Sequence, residues 1–303
     1  MVTQTLEQLI AEESTTTAFP AAGAMVEHLR TTYGTGTRAI VFYGSGLRLG
    51  TDDNLMLDFY VLVDKLTAAL GNPISAAFGA ILSPNVYYHE CEFEGRTVRA
   101  KVAVMTLGAF TRGMAETTFA PTLWARFAQP AAIVYAKDDL AQATVTRARE
   151  RAVKTLLAKT RPLIVGPCTI RDLWVRALQV TYSTELRPEK GSKAENLVAM
   201  QEERFNKVGY AAMDALRIDL GSESALDYGA VWAWRLRRWW GRLLNVLRLI
   251  KAAFTFSGGL NYAVWKIERH SGVKIELTSR DRAHPILTGI RLIFRIKREG
   301  GLN

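Results

Sequence analysis

The chain has 303 residues, 49% of them hydrophobic and 22% charged, so it is long and apolar enough to bury a sizeable core. It has no run of about 18 uninterrupted apolar residues, which argues against a membrane-spanning helix. Its formal net charge of +10 favours an acidic partner: nucleic acid, anionic lipid or a phosphate-rich substrate.

Residues 1–13 are acidic and lack the pattern of a signal or transit peptide, so we expect the protein to stay in the compartment where it is made. Cys91 and Cys168 are far apart and lack metal-type spacing, which is typical of reduced thiols in a cytosolic protein. The four histidines are equally scattered. The sequence therefore does not favour a zinc site.

The first part of the chain contains short β-branched and aromatic runs that alternate with helical stretches. Strands are predicted at 38–43, 57–64, 86–93, 97–105 and 132–135. The segment Glu94-Gly95-Arg96 has turn composition and predicts a β-hairpin over 86–105. This pattern predicts an α/β sheet.

The segment Tyr43-Gly44-Ser45-Gly46 follows the first predicted strand. Small residues at this position let backbone N–H groups approach an anion such as a triphosphate closely. Asp58 stands at the entrance of the next strand, where a carboxylate can hold a metal ion beside the phosphates. Most Gly-Ser-Gly turns only connect strands, so this motif alone leaves a structural role open.

A second carboxylate for such a metal ion cannot be Asp64. Asp58 and Asp64 share a strand face, but six residues at about 3.3 Å each separate them by roughly 20 Å. Asp52, Asp53 or a residue of another element is needed instead.

Two cations interrupt an otherwise apolar predicted strand. Period-two alternation places Arg99 and Lys101 on one face and the valines on the other. This arrangement predicts an anion beside the strand, although solvation at a sheet edge is an open alternative.

From residue 139 to about 216 the pattern turns helical, with breaks at Arg161-Pro162 and Gly166-Pro167, which predicts a second domain.

Residues 232–254 then form a basic, tryptophan-rich amphipathic segment. Seven apolar side chains fall within a helical arc of roughly 120°: Trp239, Trp240, Leu243, Val246, Leu247, Ile250 and Phe254. Five arginines lie outside it: Arg235, Arg237, Arg238, Arg242 and Arg248. The segment predicts a helix at an anionic membrane surface, while packing of the apolar arc on the protein body stays equally open.

Several short motifs occur in one order between about residues 40 and 200. They are Tyr43-Gly44-Ser45-Gly46, Met56-Leu57-Asp58-Phe59, Asn85-Val86-Tyr87-Tyr88-His89, Arg99-Ala100-Lys101-Val102-Ala103, Ala125-Arg126-Phe127-Ala128-Gln129-Pro130, and Ser183-Thr184-Glu185-Leu186-Arg187 with Glu189, Lys193 and Asn196. In this order and spacing the chain resembles the mitochondrial-type phosphatidate cytidylyltransferases, the translocator-assembly-and-maintenance family, which has bacterial relatives.

The resemblance implies a nucleotidyltransferase-like mixed sheet at 1–138, a helical domain at 139–220 that completes the active site, and a C-terminal region at 221–303 with an amphipathic membrane-binding helix. The implied reaction transfers CMP from CTP to phosphatidate and releases pyrophosphate. The implied cofactor is Mg²⁺. The implied location is the cytoplasmic face of the bacterial inner membrane, with the protein peripheral and in contact with anionic lipid through residues 232–254.

The resemblance also implies roles for single residues. Asp58, Lys101 and Glu185 are the implied catalytic positions, with Asp58 and Glu185 as metal ligands. The implied nucleotide and phosphate contacts are Tyr43, Gly44, Ser45, Gly46, Arg99, Arg187 and Lys193. The chain departs from the family at Leu49, where Gln is usual, at Glu185, where Asp is usual, and at Gln129, where Lys is usual. The missing lysine leaves the choice of substrate open.

Other interpretations stay open. A nucleotidyltransferase acting on RNA would also be basic, but its aromatics would be spread along a groove for base stacking. A non-catalytic membrane-tethering protein could keep the C-terminal helix and a degenerate site. Another lipid phosphate, such as a ceramide phosphate, could replace phosphatidate as the acceptor. The oligomeric state is not predicted.

Overall fold

A computed structural model of the chain describes residues 4–52, 55–71, 73, 76–77, 79, 82–184 and 192–255. Within these ranges the protein has a five-stranded mixed sheet with helices packed on both faces. The α/β class predicted from the sequence is confirmed.

The strands occur where the alternating patterns predict them. They are β1 Thr37–Tyr43, β2 Leu57–Val63, β3 Asn85–Phe93, β4 Arg96–Thr106 and β5 Ala131–Ala136. Their order across the sheet is β3-β4-β2-β1-β5. Strands β2 and β4 run parallel, and the other neighbours are antiparallel. The predicted hairpin joins β3 to β4 through Glu94 and Gly95, which have φ angles of 49° and 74°.

The helices in the described ranges begin and end as follows. They are α1 Leu6–Ser14, α2 Pro20–Tyr33, α3 Gly44–Leu49, α4 Leu66–Leu70, α5 Leu107–Gly113, α6 Thr122–Phe127, α7 Asp139–Thr160, α8 Ile170–Tyr182, α9 Ser192–Met200, α10 Glu202–Leu216 and α11 Tyr228–Thr255, with short 3₁₀ turns at Gly34–Gly36 and Arg161–Leu163. Helix α7 ends at the predicted Arg161-Pro162 break, where proline cannot continue the backbone hydrogen bonding.

Each face of the sheet is covered by a different hydrophobic cluster. On one face, Met25 and Leu29 of α2 pack with Phe59 of β2. On the other, Val41 of β1 belongs to a cluster that also holds Leu156 of α7. The second cluster includes residues of α1, α7, α8 and α10, so it extends across the predicted domain boundary near residue 138. That boundary stays a prediction.

None of the helices in the described ranges combines the length and the hydropathy needed to cross a bilayer.

Candidate functional site

The Gly-Ser-Gly motif begins a short helix, α3, directly after β1 rather than forming an open turn. Gly44 has a φ of +86°, and a Cβ placed there would lie 2.8 Å from Oδ2 of Asp58. Gly44 is therefore required both by its backbone conformation and by the close approach of the carboxylate. Gly46 has a different role, because a Cβ there would lie 2.7 Å from the side chain of Leu57 in the core.

Three of the predicted site residues lie side by side across neighbouring strands. Tyr43 of β1 is the register partner of Asp58 on β2, and Asp58 is the register partner of Lys101 on β4. The sheet thus brings together residues that are up to 58 positions apart in the chain. The valines of β4 are buried against α2 while Lys101 is exposed on the opposite face, as the period-two pattern predicts.

The Asp58 carboxyl is surrounded by positive charge. Burial raises its pKa above the usual value of 3.8, and the charges of Lys101, Arg126 and Arg48 oppose that shift. A carboxylate that is partly desolvated and close to several cations is typical of functional sites, although structural ion pairs share this feature.

A cavity of about 350 Å³ opens beside Gly44. Its lining comprises Tyr43, Gly44, Ser45, Arg48, Leu49, Arg126, Gln129, Pro130, Tyr182, Lys193, Asn196, Leu197 and Met200. Among the residues that the structure describes, the lining contains three basic side chains and no acidic one. Asp58 is not part of the lining and stands directly behind Gly44. This charge distribution suits an anionic ligand.

The structure brings Lys193 and Asn196 of α9 to the same cavity as Ser45, although almost 150 residues separate them in the sequence. Both residues belong to the last motif of the family resemblance. Glu185 and Arg187, from the same motif, lie outside the described residues.

Two arginines of the site were not singled out from the sequence. Arg48 lies one helical turn after Ser45 on α3, so the spacing from the glycine motif was an available signal. Arg126 of α6 donates a hydrogen bond to the Tyr60 hydroxyl at 3.0 Å, and its guanidinium carbon lies 5.5 Å from the Tyr43 ring centroid. Its only sequence signal was its place in one of the resembling motifs.

Arg99, a predicted phosphate contact, is not part of the cavity lining and forms an ion pair with Glu90 of the same hairpin at 3.2 Å. Asp52, a candidate second carboxylate, forms an ion pair with Arg96 at 2.6 Å. Asp53 lies outside the described residues. Asp64 lies at the opposite end of β2 from Asp58 and is 3.7 Å from Arg38, as expected from the strand length.

The described residues contain no group of three or more His, Cys, Asp or Glu side chains that could hold a metal ion. Mg²⁺ in nucleotide sites is usually held by one or two carboxylates, with substrate phosphates and water as the other ligands. A single carboxylate beside a cavity lined by basic residues fits such an ion. Asp58 is the residue positioned for it.

Helix α11 packs on the body through a side that includes Trp234, Arg237 and Lys251. Arg237 and Lys251 are 8% and 6% exposed, and Trp234 is buried with its indole N–H donating to the Lys159 carbonyl at 2.9 Å. Gly241 lies against the end of α8, where a Cβ would be 2.9 Å from the Thr184 carbonyl oxygen.

The opposite side of α11 forms an outer stripe, which we define as Trp232, Leu236, Trp239, Trp240, Val246 and Leu247. These side chains are between 37% and 65% exposed. Four arc residues, Trp239, Trp240, Val246 and Leu247, belong to this stripe, while Arg237 and Arg248 face the body. The choice between membrane contact and packing of the arc stays a prediction. Leu243 is half-buried. The side chains of Ile250 and Phe254 lie outside the description.

Comparison of the chain with protein-family models and with curated proteins finds no match.

Proposed function

We propose that the protein is a peripheral membrane nucleotidyltransferase that transfers CMP from CTP to phosphatidate, forming CDP-diacylglycerol and pyrophosphate. The observation that carries this proposal is the contact of Gly44 with the Asp58 carboxylate beside a cavity lined by Arg48, Arg126 and Lys193. The choice of cytidine and of phosphatidate rests on the family resemblance alone.

The cavity is suited to the nucleotide. Its volume falls within the roughly 300–1,000 Å³ that small-molecule sites occupy. The basic side chains can bind the triphosphate, and the hydroxyl of Ser45 can donate a hydrogen bond to it. Tyr43 and Tyr182 offer aromatic surface, and Asn196 offers an amide for recognition of the base.

The transfer joins two anions. An oxygen of the acceptor phosphate attacks the α-phosphorus of the nucleotide, a new P–O bond forms, and the bond to the bridging oxygen breaks, so that pyrophosphate leaves with the electron pair. Three positive charges act on Asp58, those of Lys101, Arg126 and Arg48. Because they lie near the proposed metal ligand, they reduce the repulsion between the two anionic reactants. Mg²⁺, held by Asp58, would supply further charge neutralisation at the phosphates.

The outer stripe of α11 supports a membrane as the partner. Tryptophan is favoured at the headgroup level, and a basic residue near an anionic surface contributes about 1 kcal/mol. Arg235 and Arg242 are exposed on this helix and can contact lipid phosphates. An apolar stripe rimmed by arginines suits an interfacial helix better than an RNA groove, where aromatics are separated.

The enzymatic proposal is tested by measuring Mg²⁺-dependent pyrophosphate release for the four nucleoside triphosphates against phosphatidate and ceramide 1-phosphate in anionic vesicles. We expect release with CTP and phosphatidate. Release with another pair would correct the substrate, and the absence of release with every pair would overturn the enzymatic function in favour of membrane tethering. An RNA acceptor in the same assay tests the nucleic-acid alternative.

The membrane proposal is tested by replacing Trp239, Trp240 and Leu247 together with Ser. We expect the variant to stay folded by circular dichroism, because these side chains are exposed, and to lose sedimentation with anionic vesicles. A matched control replaces Arg235 and Arg242 with Gln and should weaken sedimentation mainly at low salt. Continued sedimentation of the triple variant would place the membrane contact elsewhere.

A further inference from the structure

Helix α11 brings a second arginine next to Arg126. Arg248 donates one hydrogen bond to Oγ1 of Thr122 at 3.2 Å and another to the Ser83 carbonyl at 3.0 Å. Thr122 and Arg126 are four residues apart on α6 and therefore lie on one side of that helix. The two guanidinium groups thus occupy the same side of α6.

The environment of Arg248 contains positive charge and neutral oxygens but no carboxylate partner among the described residues. Its Nε is buried and has no hydrogen-bond partner there. Burial lowers the pKa of Arg248, the Tyr60 hydroxyl acts in the opposite direction, and the charge of Arg126 lowers it further. Two arginines brought together in this way are stabilised when an anion binds between them.

The position of Arg248 distinguishes it from the cations of the nucleotide cavity. Arg126 lines that cavity and Arg248 does not. Ser83, which accepts from Arg248, leads into β3, the strand next to the one that carries Lys101. Asp58 therefore has the cavity on the Gly44 side and Lys101 on the other, while Arg126 lines the cavity and its charge acts on Asp58. A transfer reaction needs two such anion positions.

We propose that Arg126 and Arg248 bind the phosphate monoester of the acceptor lipid, so that the membrane-facing helix also supplies a substrate-binding residue. The proposal rests on the transferase function proposed above. The outer stripe and Arg248 lie on opposite sides of one helix, about 10 Å across. A lipid whose acyl chains stay in the bilayer beside α11 can therefore present its phosphate to the inner side of the same helix.

The test uses the full-length chain and dihexanoyl phosphatidate, which is soluble in water and removes membrane binding from the measurement. Arg248→Gln should raise the KM for this acceptor about tenfold or more, as expected for loss of a charge-assisted hydrogen bond, and leave the KM for CTP unchanged. Arg248→Lys should recover part of the acceptor affinity. Arg147→Gln, an exposed residue of α7 outside the cavity lining, should match the wild type.

Thr122→Val separates binding from packing, because it removes a hydrogen bond that holds Arg248 and keeps the charge. Its acceptor KM should change by less than about threefold. If Thr122→Val reproduces the loss seen in Arg248→Gln, or if Arg248→Gln raises both KM values equally, Arg248 only secures α11 and the proposal is wrong.

A binding measurement distinguishes this proposal from the proposed reaction. Without nucleotide, dihexanoyl phosphatidate should raise the melting temperature of the wild type and of Arg147→Gln but not that of Arg248→Gln. If this pattern appears while no nucleotide is transferred, the acceptor site stands and the transferase function fails. If transfer occurs but the acceptor stabilises all three proteins equally, the function stands and the site lies elsewhere.

Discussion

Glu13 and Asp58 are carboxylates that lie near several cationic side chains, and their pKa values shift in opposite directions. Burial by itself raises the pKa of Glu13, but the charges and hydrogen bonds of Arg204 and Arg149 outweigh it and lower the pKa to about 2. Burial also raises the pKa of Asp58, and there the neighbouring cations do not compensate. The charges of Arg204 and Arg149, together with their direct hydrogen bonds, account for the lowered pKa of Glu13.

The two environments serve different ends. Glu13 accepts a hydrogen bond from Nε of Arg204 at 2.6 Å, a second from Arg149, and a third from the Ala131 amide at 3.2 Å. These contacts tie α1 to α7, α10 and β5. The cations near Asp58 act on it through their charges and not through a comparable set of hydrogen bonds, so the Asp58 charge can act on a ligand. The predictions below test whether one carboxylate is structural and the other functional.

The largest expected effect is that of Glu13→Ala on stability. The substitution leaves the fully buried Arg149 without its carboxylate partner, which costs about 3–5 kcal/mol in the free energy of unfolding. Chemical denaturation measures this change. Glu12→Ala removes an exposed carboxylate of the same helix and should alter stability by no more than about 0.5 kcal/mol. Equal effects of the two substitutions would contradict a structural role for the Glu13 cluster.

The pH dependence of the free energy of unfolding should test the structural role of Glu13. Because the pKa of Glu13 falls from 4.5 to about 2 on folding, its contribution of about 3 kcal/mol is complete above pH 4.5 and is lost as the pH falls through 2. The difference in unfolding free energy between wild type and Glu13→Ala should therefore shrink over that interval. A difference that stays constant from pH 6 to pH 2 would show that the ion pairs do not contribute.

Asp58→Asn should lower transfer by on the order of 10², because it removes the charge that the transferring phosphates depend on. It should not destabilise the fold. A carboxyl whose pKa is raised on folding binds its proton more tightly in the folded state, so ionisation above its usual pKa reduces stability. The melting temperature of Asp58→Asn at pH 7 should equal or exceed that of the wild type, and near wild-type transfer at saturating Mg²⁺ would falsify the functional assignment.

The smallest expected effect concerns the two cations of β4. Lys101→Ala should reduce transfer about tenfold, because Lys101 is paired in register with Asp58. Arg99→Ala should reduce it by less than about twofold, since Arg99 is already neutralised by Glu90 at 3.2 Å on an exposed hairpin. Steady-state kinetics of Lys101→Ala and Arg99→Ala measures these two losses of transfer activity. Equal, small losses would return this strand to the solvated-edge interpretation.

Much of the sheet and part of the candidate site could be predicted from the sequence. The alternation in 57–63 and 97–105 indicated both the strands and the face that carries Lys101, because side-chain direction in a strand depends only on position. The glycines next to β1 predicted that the backbone there approaches another group closely. Gly44 does so, because a Cβ at this position would lie 2.8 Å from Oδ2 of Asp58. Arg48 and Arg126 were missed, because only the tertiary structure brings their side chains, from α3 and α6, to one cavity.

The sequence by itself determined which residues share a strand or helix face, because local periodicity decides that. Only the tertiary structure decided which face is covered. The amphipathic pattern of 232–254 separates tryptophans from arginines equally well whether the apolar side is buried or exposed. Contacts of Trp234 with Lys159 and of Gly241 with Thr184 turn the inner side of α11 toward the body. These contacts leave the Trp239 side chain exposed and place Arg248 next to Arg126. A helix that packs on the body through one side exposes its opposite side to the surroundings.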